Sequence, residues 1–217
     1  MKNNRTELVF ILDKSGSMAG LETDTIGGFN AMLKKQKAQE GDCRITTVLF
    51  DNNHELLHDR IDIGFVSPLT EKEYWVGGST ALLDAIGFTI GKIGKVQQQT
   101  KEGTGAGQVL FVIITDGMEN ASREFTYEKV KQMIEYRKAE FSWEFIFLGA
   151  NIDAAATAKS FGIHPDRAQN FHADKAGVAL NYASMSDTIS EFRKHAAMPS
   201  DWNKKVQEDY KKRGGKY

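Results

Sequence analysis

Asp13, Ser15 and Ser17 leave the apolar run 8–12 together, so one carboxylate and two hydroxyls emerge where a buried strand ends. Two more oxygen donors stand at later strand ends: Thr80 in Gly77-Gly78-Ser79-Thr80, and Asp116 in Thr115-Asp116-Gly117 behind the apolar run 109–114. These residue types suit a hard divalent cation. Magnesium and manganese prefer oxygen donors in octahedral geometry, and hydroxyls mixed with only two carboxylates leave such an ion partly uncompensated and partly hydrated. An ion held in this way can still accept a ligand. Gly16, Gly77, Gly78 and Gly117 flank the donors and permit the tight turns that bring backbone close to a small ion.

Positioning such donors requires strand ends that share one side of a sheet. Apolar periodicity predicts strands at 7–13, 44–51, 109–115, 143–148 and 168–171, and helices at 20–37, 80–96, 126–139, 151–161 and 177–195. Asp51-Asn52-Asn53 is turn chemistry, so 54–61 returns as an antiparallel hairpin partner at the sheet edge. Alternating strands and helices specify a doubly wound α/β fold, mostly parallel and Rossmann-like, with helices on both faces. Ligands of such sheets lie outside the carboxyl ends of the strands, where Asp13 and Asp116 fall.

The Asp-x-Ser-x-Ser motif at 13–17, the Gly-Gly-Ser-Thr threonine and the Thr-Asp-Gly aspartate resemble the metal-ion-dependent adhesion site of von Willebrand factor A domains in order and spacing. The likeness covers roughly the first 120 residues, with compatible strand and helix signals to about 195. It implies that Asp13, Ser15, Ser17, Thr80 and Asp116 hold one Mg2+ (or Mn2+ or Ca2+), directly or through water. It further implies a protein-binding module whose ion takes a carboxylate from a partner's Asp or Glu, and a switch in which the ion shifts between Asp116 and Thr80 while the closing helix moves. Lys14, Trp75, Gly78, Met118 and Glu119 would then rim the ion, with Glu119 orienting waters. The plainer role for Trp75 is packing beneath a loop. The stretch 147–153 and Gly-Gly-Ser-Thr-Ala-Leu-Leu-Asp-Ala-Ile look closer to cytoplasmic bacterial members of the superfamily, some of which work with ring ATPases or in tellurite-resistance and stress systems. A scaffold subunit with a mainly structural ion is therefore the alternative.

Other chemistries fit less well. A phosphatase using Asp13 as nucleophile would need a second carboxylate at position 15, which is serine. No Gly-x-Ser-x-Gly elbow occurs, and His54, His58, His164, His172 and His195 are dispersed without zinc-like pairing. An enzyme is not expected. Gly103-Thr104-Gly105-Ala106-Gly107 precedes a strand, whereas a phosphate-cradling loop follows one and opens a helix.

A chain of 217 residues, 41% hydrophobic, can bury a full core. The expected division is one domain over 1–197 followed by a charged tail, 198–217, able to form a short helix. A net charge of −1 without a basic stripe argues against nucleic acid. The lone Cys43 cannot form an internal disulfide and reads as a core residue. No apolar stretch of signal-peptide length precedes the first strand and no run approaches a membrane span, so a cytoplasmic location without membrane contact is the expectation.

Overall fold

The computed structural model describes residues 5–99 and 106–216. Residues 103–105 of the glycine-rich segment and the first four residues lie outside them. The elements run β1 (Thr6–Asp13), α1 (Glu22–Lys37), β2 (Cys43–Phe50), β3 (His54–Asp62), α2 (Leu82–Gln99), β4 (Gln108–Thr115), α3 (Tyr127–Phe141), β5 (Glu144–Gly149), α4 (Ala154–Ser160), β6 (Ala168–Asn170), α5 (Lys175–His195) and α6 (Lys204–Lys212).

The six strands form one sheet in the order β3-β2-β1-β4-β5-β6, parallel except for the antiparallel edge strand β3. Every residue of β1 and β4 is buried, which is why their interiors, 8–12 and 109–114, read as unbroken apolar runs instead of an alternating pattern. Successive side chains still point to opposite faces. Leu8, Phe10, Leu12, Leu110, Val112 and Ile114 join one core with Phe29 and Met32 of α1 and Met185, Ile189 and Phe192 of α5. Val9, Ile11, Val109, Phe111 and Ile113 join the other core with Ile86, Ile90 and Ile93 of α2 and Val130 and Ile134 of α3.

The chain leaves β1 toward β2 on one side and later enters β4 on the other, so the order of strands reverses between β1 and β4. In an open α/β sheet that reversal opens a crevice at the strands' carboxyl ends. Asp13 ends β1, and Asp116 follows the last residue of β4.

The helices begin one to three residues away from the periodic pattern, and two of these shifts have a visible cause or consequence. The helix expected from 151 begins at Ala154, because Asn151 takes a left-handed φ of 57° and the Asp153 side chain caps the first turn by accepting from the Ala156 amide. The helix expected from Thr80 begins at Leu82, which leaves Thr80 in the loop. Toward the C-terminus, α6 packs its apolar side inward, burying Val206 and Tyr210, and Trp202 before it is buried as well. Among the described residues no helix is long and apolar enough to cross a membrane.

Candidate metal centre

Asp13 is 1% exposed and both of its oxygens are engaged from within the site. Oδ1 accepts from the Ser15 amide at 2.7 Å, and Oδ2 accepts from the Thr115 hydroxyl at 2.5 Å. The Ser15 and Ser17 hydroxyls lie 3.1 Å apart, and the Ser17 hydroxyl donates to Asp116 Oδ1 at 2.5 Å. Gly117 sits against two of these groups: a Cβ there would stand 3.2 Å from Ser17 Oγ and 3.6 Å from Thr80 Oγ1. The structure thus gathers Asp13, Ser15, Ser17, Thr80 and Asp116 around one point at the β1/β4 crevice.

The other oxygen of Asp116, Oδ2, is buried and has no hydrogen-bond partner. A buried carboxylate oxygen without a donor is costly, so the group is matched to something that brings positive charge. Burial raises the carboxyl pKa of Asp13 above its ordinary value, with hydrogen bonds from Ser15 and Thr115 working against the rise. Burial likewise raises Asp116, and the charge of Asp13 adds to the effect. A divalent cation would offset both terms at once. Among the described residues no three His, Cys, Asp or Glu side chains form a metal-holding group, so an ion here would lean on hydroxyls. Two carboxylates and three hydroxyls are all hard oxygen donors, and the set fits Mg2+ or Mn2+ with water completing its shell.

A frame of hydrogen bonds holds the loops in place. Thr80 donates its amide to Asn120 Oδ1 at 2.9 Å and accepts from the Asn120 amide at 3.0 Å. Asp84 of α2 accepts the amides of Arg123, Glu124 and Phe125, which fastens the loop after Asp116 to the helix. Tyr74 donates its hydroxyl to the Asp13 carbonyl at 2.5 Å. The Gly16 amide donates to the Gly78 carbonyl at 3.1 Å, and Gly78 holds a φ of 75° that side chains rarely adopt.

The expected rim separates into two groups. Gly78, Trp75 and Met118 face solvent, the last two at 56% and 72% exposure, so Trp75 does not pack beneath a loop. Lys14 and Glu119 turn inward. Lys14 is 4% exposed, its Nζ 3.1 Å from Glu55 Oε2 and 4.5 Å from the centroid of the Trp75 ring. The Glu119 carboxylate accepts the amides of Leu83, Ala121 and Ser122 and the Ser122 hydroxyl, so it binds loop to helix with its accepting sites already filled instead of orienting water.

Thr115 had no role assigned by spacing, since its only signal is membership of Thr-Asp-Gly. Its hydroxyl donates to Asp13 and accepts from the Gly117 amide at 3.3 Å, joining the first carboxylate to the turn that carries the second. Groups that orient metal ligands are worth about 10–100-fold in affinity. Thr115→Val, which keeps shape and removes the hydroxyl, is expected to weaken Mn2+ binding within that range, and Thr115→Ser to restore it. Titration of Mn2+ followed by electron paramagnetic resonance checks this, and equal affinity in all three proteins would refute it.

No protein-family model matches the chain, and no curated protein matches it in sequence. Solved structures do. The vWF domain of the type V pili tip protein Mfa5 from Porphyromonas gingivalis aligns with a TM-score of 0.60 at 14% identity, covering 89% of this chain and 98% of that one. The PilB minor pilin from Streptococcus sanguinis aligns with a TM-score of 0.60 at 12% identity, over 90% of this chain and 63% of the pilin, so the chain spans less than two thirds of that protein. Manganese-loaded TRAP protein from Plasmodium vivax gives 0.55 at 15% identity, over 82% and 72% of the two chains. At such identities the likeness is one of fold, and the fold is von Willebrand A-like.

Proposed function

We propose that this von Willebrand A-like chain is a divalent-cation-dependent protein-binding module without catalytic activity. Asp13, Ser15, Ser17, Thr80 and Asp116 would hold Mg2+ or Mn2+, and a carboxylate from an Asp or Glu of the partner would complete the ion's coordination. The observation that carries this reading is the Asp116 carboxylate, buried beside Asp13 in an all-oxygen cluster with Oδ2 unpartnered. Two carboxylates balance a divalent charge without exceeding it, which leaves the ion receptive to a further anionic ligand. The position agrees: Gly16, Ser17, Gly78 and Ser79 are exposed, so the crevice opens to solvent at the cluster. A manganese-loaded protein and a pilus tip domain among the fold neighbours are consistent with such a module.

Thermal unfolding tests the first half. An ion at about 100 times its dissociation constant adds about 2.7 kcal/mol, which in a chain of this length raises the melting temperature by roughly 5–11 °C. Mn2+ or Mg2+ is expected to produce that shift and a chelator to abolish it. The absence of any shift, with no metal recovered by elemental assay, would overturn the assignment. For the second half, Asp13→Ala is expected to lose partner binding that the wild type shows in Mg2+ and loses in chelator.

A further inference from the structure

We infer that the partner presents a single carboxylate flanked by apolar side chains, not an acidic run, and that Trp75 and Met118 receive those flanks. This rests on the cation-bridged reading above and goes further by stating the partner's chemistry. Of the exposed large apolar side chains, Trp75 and Met118 stand in the two loops that supply Thr80 and Asp116. Contacts place both loops beside the exposed Gly16-Ser17 turn. The Trp75 ring lies 3.7 Å from where a Gly77 Cβ would be, the Gly77 amide donates to the Lys14 carbonyl at 2.9 Å, and Gly78 bonds to Gly16. Gly117 abuts Ser17 Oγ and Thr80 Oγ1 and leads directly to Met118. A segment laid over the turn, its carboxylate at the cluster, has the indole and the thioether within its flanks' neighbourhood.

Charge at this face selects against further acids. Lys14, the cation inside the ligand turn, is already paired with Glu55 and roofed by Trp75, while the half-exposed Glu55 contributes negative charge beside the indole. Asp84 and Glu119 spend their carboxylates on loop amides. A second partner carboxylate set against the indole or the thioether would therefore lose hydration without Lys14 free to serve as its counter-charge. Apolar flanks lose nothing there and bury Trp75 and Met118, residue types suited to anchoring a contact.

The test uses protein loaded with Mn2+, occupancy confirmed by electron paramagnetic resonance, and three blocked hexapeptides read by titration calorimetry. One carries an aspartate between leucine and phenylalanine, one replaces that aspartate by asparagine, and one sets the aspartate between glutamates. The apolar-flanked aspartate is expected to bind at least about tenfold tighter than the glutamate-flanked one. Trp75→Ala and Met118→Ala are each expected to erase most of that preference while leaving Mn2+ affinity within about twofold, as neither residue donates to the ion. Trp75→Phe should keep it. Trp75→Ala also uncovers Lys14, so the glutamate-flanked peptide should gain. Equal or tighter binding of the glutamate-flanked peptide, an unchanged preference in both alanine variants, or no peptide binding to Mn2+-loaded protein overturns the inference. Failure of Mn2+ to bind, or equal binding of the asparagine peptide, removes the underlying bridge and this inference with it.

Discussion

Asp116→Asn is expected to melt no lower than the parent in chelator, and to lose the stabilisation that Mn2+ gives the parent. Both carboxyl groups of the crevice are raised above their ordinary pKa, chiefly through burial, and the charge of Asp13 penalises Asp116 further. A carboxyl raised in the folded state weakens the fold as pH climbs from the unfolded value through the folded one, and above both the whole penalty stands. At neutral pH, removing one charge therefore relieves the metal-free protein, while the amide oxygen can still accept from Ser17 as Asp116 Oδ1 does. A chain of this size shifts roughly 2–4 °C in melting temperature per kcal/mol of relief. With metal the sign reverses, because attraction between a carboxylate and a divalent ion in contact is worth several kcal/mol even at an effective dielectric of about 20. Melting curves of parent and variant in chelator and in Mn2+ should cross. Parallel curves would mean that Asp116 does not hold an ion.

Arg60→Ala is expected to cost about 3–5 kcal/mol at pH 7.5, the range for leaving a buried ion-pair partner uncompensated. Glu7 in β1 is fully buried, and Arg60 in β3 reaches across β2 to hold it, with Nε 3.1 and 3.0 Å from the two carboxylate oxygens and Nη2 2.9 Å from Oε2. Burial pushes the Glu7 carboxyl above its ordinary 4.5, and Arg60 is the main influence pulling it back. Without the guanidinium it rises further. The folded variant then binds a proton that the unfolded chain has released, so its stability is lost as pH rises from about 4.5 through the raised value and recovers as pH falls again. Urea unfolding at pH 7.5 and pH 5 should show the deficit shrinking at the lower pH. An equal deficit at both would place the cost in packing instead of charge. Glu7→Gln with Arg60→Met, which removes both charges together, should recover most of the loss.

Much of the architecture was legible because burial leaves a local signature. Strands covered on both faces need an apolar interior, which 8–12 of β1 and 109–114 of β4 supply. Polar oxygens directly behind such a run can only lie at its end, which places Asp13 and Asp116 from local sequence alone. Loop side chains carry no such periodicity. Lys14, inside the Asp-x-Ser-x-Ser motif, reads as a rim charge until the β2–β3 hairpin brings Glu55 to it and the 70s loop lays Trp75 over it. Glu119 reads as a neighbour of the ion until the start of α2 offers it the Leu83 amide. Neither partner is close in sequence.

The sequence by itself therefore determined the doubly wound sheet, the oxygen donors and the end of the sheet at which they emerge, since each follows from hydrophobic period and residue type within a short window. The tertiary structure alone decided which donors touch. Ser17 reaches Asp116 across 99 positions and Thr115 reaches Asp13 across 102. Such pairings exist only once β1 and β4 lie side by side. The same register leaves one oxygen of Asp116 buried without a partner, because contacts between loops are set by the packing of the strands beneath them and not by any pattern in the loops themselves.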